Sequence, residues 1–356
     1  MKRYIVMFLV IVLLYGGLSN VRELTELAIV TTIGIDMDED GNYSMTAIVA
    51  DTSSESSNNP GIIYSSNGKS VQEAARNIVD ISPKKLYLGH LEVLIVSEDI
   101  ARDNLENTSD FFIRDNEGSN SSYLFVAKGY EAKEIVEKIN SDGINVIASL
   151  KSNQKYKGNA NLKTLNDNFK DIISQGKETC VNCVSIDNDN ITIADMAYFK
   201  DWNMLGYMST QESIIYNMLI NQTDNFLISM GESDDLIVAE VISSNTNWNF
   251  DHKNQSVNIE VTADVNITQE GSNVVLDTEK KIEKVENELS KLIINKTYEM
   301  YNKEKDEYKT DILNIAGLLY RKKSELYSNE DYLSLINLNV DAKVQILNQG
   351  GIRKQW

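Results

Sequence analysis

The chain has 356 residues, 42% of them hydrophobic and 24% charged, which is enough for two or three domains that each bury a core. Its formal charge of −19 repels phosphate backbones and anionic lipid surfaces alike. That excludes nucleic acid as an expected partner and sets the folded part off a membrane surface rather than on it.

Lys2 and Arg3 precede an apolar run from Tyr4 to Tyr15, the length of a signal-peptide core and short of the ~20 residues a spanning helix needs. Leu14-Tyr15-Gly16 has the spacing and small last residue that would precede a lipid-modified cysteine, yet Gly17 and Leu18 follow. No later segment approaches a spanning length.

Residues 27–35 and 43–50 are rich in β-branched and apolar side chains, and "DMDEDGN" between them carries turn signals, so they read as a hairpin. The Ser/Asn-rich stretch 51–70 reads as a surface loop. Ser70-Val-Gln-Glu73 fits a capping box opening a helix. A strand at 91–97, helices near 98–104 and 109–114, the strand "YLFVAK" and the helix "EAKEIVEKI" follow.

A polar, helical stretch over 141–178 leads to a β-rich piece around Cys180 and Cys183, then to a hairpin with its turn at Trp202-Asn203 and a helix from Ser209 or Thr210. The strand 236–242 is expected to extend that same sheet. The last hundred residues read as β-α-α-β: a long alternating strand, an amphipathic helix near 277–307 with Ile282, Val285, Leu289, Leu292 and Ile293 on one stripe, a second helix near 311–325, and "NLNVDAKVQIL".

Chemistry-bearing patterns are sparse. Neither common Gly-rich phosphate loop occurs, the acidic run after residue 35 lacks the spacing and distal Glu of a calcium loop, and Gly-x-Ser-x-Gly is missing. Cys180 and Cys183 lie between β-rich pieces rather than opening a helix, so they read as ordinary thiols, with a local disulfide as the alternative in an oxidising compartment. Zinc would need two further ligands, and His90 and His252 lack paired spacing. No cofactor, metal or catalytic residue is expected.

Several stretches, in order, resemble the C subunit of GerA-type spore germinant receptors. They are "RELTELAIVTTIGID", "KKLYLGHLEVLIVSEDIARD", "DFFIRDNE", "LFVAKG", "ADMAYFKDWNMLGYMSTQE" and "EYKTDILNIAGLLYRKKSEL". The resemblance implies a mixed α+β fold of three domains, each a sheet flanked by helices, after a signal or anchor segment. With the pattern above, it sets expected boundaries at 1–19, 20–175, 176–255 and 256–356.

The resemblance further implies a non-enzymatic subunit on the outer face of the spore inner membrane, tethered by an N-terminal diacylglycerol. Its partners would be the A- and B-type integral membrane subunits of a receptor that answers nutrients. This chain departs from the family where the lipidated cysteine belongs, at Gly17 or Leu18, so membrane association through the N-terminus or through the partners both stay open. A second departure is Gly118-Ser119 after "RDNE". Interface candidates within the family-like stretches are Tyr87, Leu88, Arg114 and Trp202. The alternative function is an extracytoplasmic nutrient-binding protein with a cleft between domains.

Overall fold

The computed structural model describes residues 27–51, 60–82, 84–114, 121–174, 177–223, 225–329 and 331–348, together with Arg3. Gly17, Leu18 and the signal-like segment around them lie outside the described residues.

Strands β1 (Leu27–Met37) and β2 (Tyr43–Val49) form the expected antiparallel hairpin. Its acidic turn closes on itself, because Asp38 Oδ1 accepts from the amides of Asp40 (3.0 Å) and Asn42 (2.8 Å). This Asx-type turn uses the carboxylate for its own backbone. Part of the stretch expected to be loop is instead β3 (Ile62–Gly68), paired antiparallel to β2. Ile62, Ile63 and Tyr64 carry the strand, and the Ser/Asn residues around them obscured it because they sit on a sheet edge facing solvent.

β4 (Lys85–Tyr87), β5 (Val93–Val96), β6 (Tyr123–Ala127) and β7 (Cys180–Asp187) continue the sheet, and β8 (Asn190–Lys200) and β9 (Asn203–Tyr207) close it. The order is β3-β2-β1-β5-β6-β7-β8-β9, with β4 beside the start of β1; the central pairings β1–β5–β6–β7 are parallel and both flanks antiparallel. A parallel centre demands cover on both faces. Alternation along β5 supplies both: Leu94 and Val96 enter one core, Val93 and Ile95 the other.

Helices α1 (Val71–Asn77), α2 (Leu105–Arg114) and α5 (Leu165–Ile173) cover the first face, while α3 (Ala132–Asp142) and α4 (Val146–Tyr156) cover the second. A π-helical turn at Ile100–Asn104 joins smoothly to α2, so the two short helices expected there are one. Asp36 at the end of β1 fixes α3, accepting from the first-turn amides of Ala132 (2.7 Å) and Lys133 (2.9 Å). Gly34 lets α3 lie close, since a Cβ there would meet Val136 Cγ2 at 2.8 Å and the Ala132 backbone at 3.1 Å.

Helix α6 (Thr210–Leu219) starts with a full capping box between Ser209 and Glu212. Beyond it, β10 (Phe226–Met230), β11 (Ile237–Asp251), β12 (Ser256–Glu270) and β13 (Asn337–Asn348) form a second sheet in that order. β11 therefore does not extend the cysteine-bearing sheet as expected; its fifteen residues pair with β12 along almost their whole length. β13 returns parallel to β12 after α7 (Glu279–Asn302) and α8 (Ile315–Arg321), the β-α-α-β expected. Val285, Leu289 and Ile293 of α7 are buried and Ile282 and Leu292 pack beside them, as the stripe predicts.

The class is mixed α+β, as expected, with two sheets flanked by helices among the described residues. β6 pairs with β7 across the expected 175/176 boundary, and β11 with β12 across 255/256. A third core shows why: Cys180, Met196 and Tyr198 of the first sheet share it with α6, α7 and the second sheet.

Candidate interaction surface

Two helices of the first face, α1 and α2, splay apart and leave a groove of about 610 Å³ between them. Its apolar wall is Met45, Val71, Ala75, Leu86, Leu88 and Phe111. Helical spacing puts Val71, Ala75 and Val79 on one side and Asn107, Asp110, Phe111 and Arg114 on the other. Val79, 49% exposed in the turn after α1, forms part of the lip, and Ile81 just beyond it (55%) and Ile113 of α2 (53%) are also exposed.

The rim is charged. Among its described residues are Arg76, Lys85, Arg114 and Asp110, and Asp110 takes a hydrogen bond from Arg114 Nε at 2.6 Å.

Of the four interface candidates, the structure brings two together here. Leu88 is buried in the groove wall, and Arg114 stands exposed on its rim. Tyr87 instead packs edge-on against His90 at 6.0 Å, and Trp202 lies against Phe169 at 5.5 Å, half-buried on the α5 side of the core. Sequence reasoning missed Arg76, Lys85, Val79 and Phe111. The signal available was the "KKLYL" pair of lysines and the one-turn repeat in α1, neither of which says that two helices splay.

A second cluster ties β9 to the segment after β5 within the first sheet, and Lys303 and Thr310 add contacts to it from the α7 side. Tyr207 donates to Glu98 Oε2 at 2.6 Å, and Arg102 donates to Glu98 Oε1 from both Nε (2.9 Å) and Nη2 (2.7 Å). Partial burial pushes the Glu98 carboxyl up, but these donors outweigh it and hold the group below its usual value. Lys303, at the end of α7, bridges to Glu212 at 3.1 Å and lies 4.9 Å over the Tyr198 ring. Thr310 donates to the carbonyl of Phe199 at 3.0 Å. Three of the stretches that carried the family resemblance meet here.

Cys180 and Cys183 are free thiols, fully buried, and enter different cores because they lie three residues apart on a strand. Burial pushes both thiols up, away from reactivity. His252 packs on Phe250 at 5.0 Å. Among the described residues no cluster of three or more His, Cys, Asp or Glu could hold a metal ion, and no helix is long and apolar enough to cross a membrane.

Residues 20–186 match the family model for the spore germination protein N-terminal domain, and 194–350 match the spore germination B3/GerAC-like C-terminal model. The chain belongs to the family of C-type spore germinant receptor subunits. It is 22% identical to spore germination protein KC of Bacillus subtilis (strain 168), over 97% of this chain and 95% of that protein. It is 30% identical to spore germination protein B3 of the same organism over 37% of this chain and 36% of that one. The crystal structure of the GerBC protein superposes with a TM-score of 0.58 at 17% identity, covering 89% of this chain and 97% of that one, and so shares its fold.

Proposed function

We propose that this chain is the non-catalytic C subunit of a nutrient germinant receptor at the outer face of the spore inner membrane. It works there by contact with two integral membrane subunits of the A and B type. The observation that supports this reading is the end-to-end relationship with a spore germination protein, 97% of one chain against 95% of the other.

Membrane attachment in this reading runs through the N-terminal segment or the partner subunits, without an acyl group, since neither Gly17 nor Leu18 offers a thiol. Intact mass of the membrane-extracted protein checks this point, and a diacylglycerol increment would overturn it. For the function itself, the gene is deleted in spores whose A- and B-type subunits remain present, and nutrient-triggered germination is scored. Loss of the response is expected; an unchanged response would refute the proposal. Calorimetry of the folded chain against amino acids, sugars and nucleosides separates it from the nutrient-binding alternative, which requires a micromolar or tighter dissociation constant, about −8 kcal/mol.

A further inference from the structure

We propose that the outer edge of β13 is a pairing surface for a second copy of this chain, and that α7 holds it shut. β13 is the last strand of its sheet. The amide of Asn337 donates to the carbonyl of Gln255, just before β12, at 3.0 Å, so the odd-numbered residues of β13 turn their backbone groups to β12 and the even-numbered ones turn theirs outward. The outward row meets α7. Tyr298 Oη donates to the carbonyl of Leu338 and accepts from the amide of Val340, both at 3.2 Å. Ser290 Oγ donates to the carbonyl of Glu286 at 2.7 Å and accepts from the amide of Val344 at 3.1 Å, and Glu286 Oε1 accepts from the amide of Ile346 at 2.8 Å. Three side chains of one helix therefore occupy the groups that an added strand would need.

The edge beneath that cover is complementary to itself. Antiparallel pairing of two β13 strands about Ala342 joins Val340 to Val344 and Leu338 to Ile346 through their outward backbone groups, across a two-fold axis. The same register sets Asp341 opposite Lys343 of the second copy, twice. Both side chains are exposed, and these are the closer, non-hydrogen-bonded positions, where opposite charges attract. Glu260 lies beside Asp341 in the β12–β13 register, so the incoming lysine meets two carboxylates. The neighbouring registers do the reverse. Centred on residue 341 they oppose Asp341 to Asp341, and centred on 343 they oppose Lys343 to Lys343. Charge thus selects one register and one partner, a second copy, while α7 keeps the chain single.

This inference does not depend on the receptor reading, and its test uses the purified full-length chain alone. The parent is compared with the triple variant Glu286→Ala, Ser290→Ala and Tyr298→Ala by sedimentation velocity over a concentration series. The parent is expected to stay monomeric, and the triple variant to dimerise at least ~10-fold more tightly than the parent. Adding Lys343→Asp, which sets carboxylates against each other across the two-fold axis, is expected to weaken that dimer ~10-fold, and adding Asp341→Lys as well is expected to restore it. Hydrogen exchange at low concentration reads the cover itself: the amides of Val340, Val344 and Ile346 should exchange faster in the triple variant than in the parent.

A cooperative thermal transition shows that each variant is folded, and a triple variant that fails it is replaced by Glu286→Ala with Tyr298→Phe, which removes the acceptors for Val340 and Ile346 and keeps the aromatic ring. A parent that dimerises as readily as the folded variant, a folded variant that stays monomeric, or a dimer untouched by Lys343→Asp would each overturn the proposal.

Discussion

Glu304 is the least comfortable side chain among the described residues, and Glu304→Gln measures what it costs. It sits in the π-helical turn Lys303–Tyr308 at the end of α7, fully buried, where the backbone amides of Ile312 and Leu313 approach its carboxylate without forming well-made hydrogen bonds. Asp311 is its charged neighbour, and Cys180, Tyr198, Tyr216, Tyr301 and Tyr332 surround the pair. Asp311 holds the better position: its oxygens accept from the amides of Ile315 (2.8 Å) and Ala316 (2.7 Å) and from Tyr332 Oη (2.6 Å). Burial first, and Asp311 second, push the Glu304 carboxyl well above its usual range against a smaller lowering by the Ile312 and Leu313 amides, which favours the neutral form in the fold.

In the unfolded chain Glu304 releases its proton near pH 4.5. Below that value folded and unfolded states bind the same proton and the group costs nothing. Above it only the unfolded state is ionised, and stability falls by about 1.4 kcal/mol per pH unit until the folded group titrates. Glutamine has the same shape and no proton to lose. The stability of Glu304→Gln relative to the parent should therefore climb as pH rises above the usual glutamate range, at no more than about 1.4 kcal/mol per pH unit, on top of a pH-independent offset from its own buried amide. Denaturant unfolding at half-unit pH steps from 4.5 to 7.5 reads this directly. Parallel curves for the two proteins would show that Glu304 is ionised in the fold, and the reasoning from its burial would fail.

Glu178, pushed up to about 7 by burial, should add a second such slope that ends where it titrates, so Glu178→Gln flattens the curve between pH 4.5 and 7 and leaves it unchanged above. Its amide oxygen can still accept from the backbone of Asp201, which the parent carboxylate does at 2.7 Å. Asp36→Ala should cost about 2 kcal/mol by leaving the buried Ala132 amide and the part-buried Lys133 amide without acceptors, seen as a lower urea midpoint at unchanged slope. Gly34→Val should cost at least ~2 kcal/mol, because α3 has no room to admit a side chain, and thermal unfolding checks it.

Much of the fold was legible wherever local chemistry repeats. The Ser70 and Ser209 caps, the hairpin turn at Asp38, the stripe of α7 and the alternation of β12 each announce themselves within a few residues. β3 was not legible, because an edge strand facing water on one side tolerates the polar residues that otherwise mark a loop. The membership of β11 was not legible either. Its pattern shows a strand, and only long-range pairing with β12 shows which sheet it joins.

The same distinction separates what was found of the candidate site from what was missed. Leu88 and Arg114 were named because they fall in family-like stretches, and the structure places both in one groove, whereas Tyr87 and Trp202 came from identical reasoning and pack elsewhere. A surface made by two helices has no signature in either helix alone. Arg76 and Arg114 lie 38 positions apart, on α1 and α2, and become one rim only after β4 and β5 have set those helices on the same face of the sheet. Long-range hydrogen bonds behave likewise: Glu98, Tyr207 and Arg102 form one network across 109 positions of chain, and Thr310 reaches Phe199 across 111. The third core follows the same rule: Cys180, Met196 and Tyr198 of the first sheet meet α6, α7 and the second sheet there, and no local stretch of sequence announces that meeting.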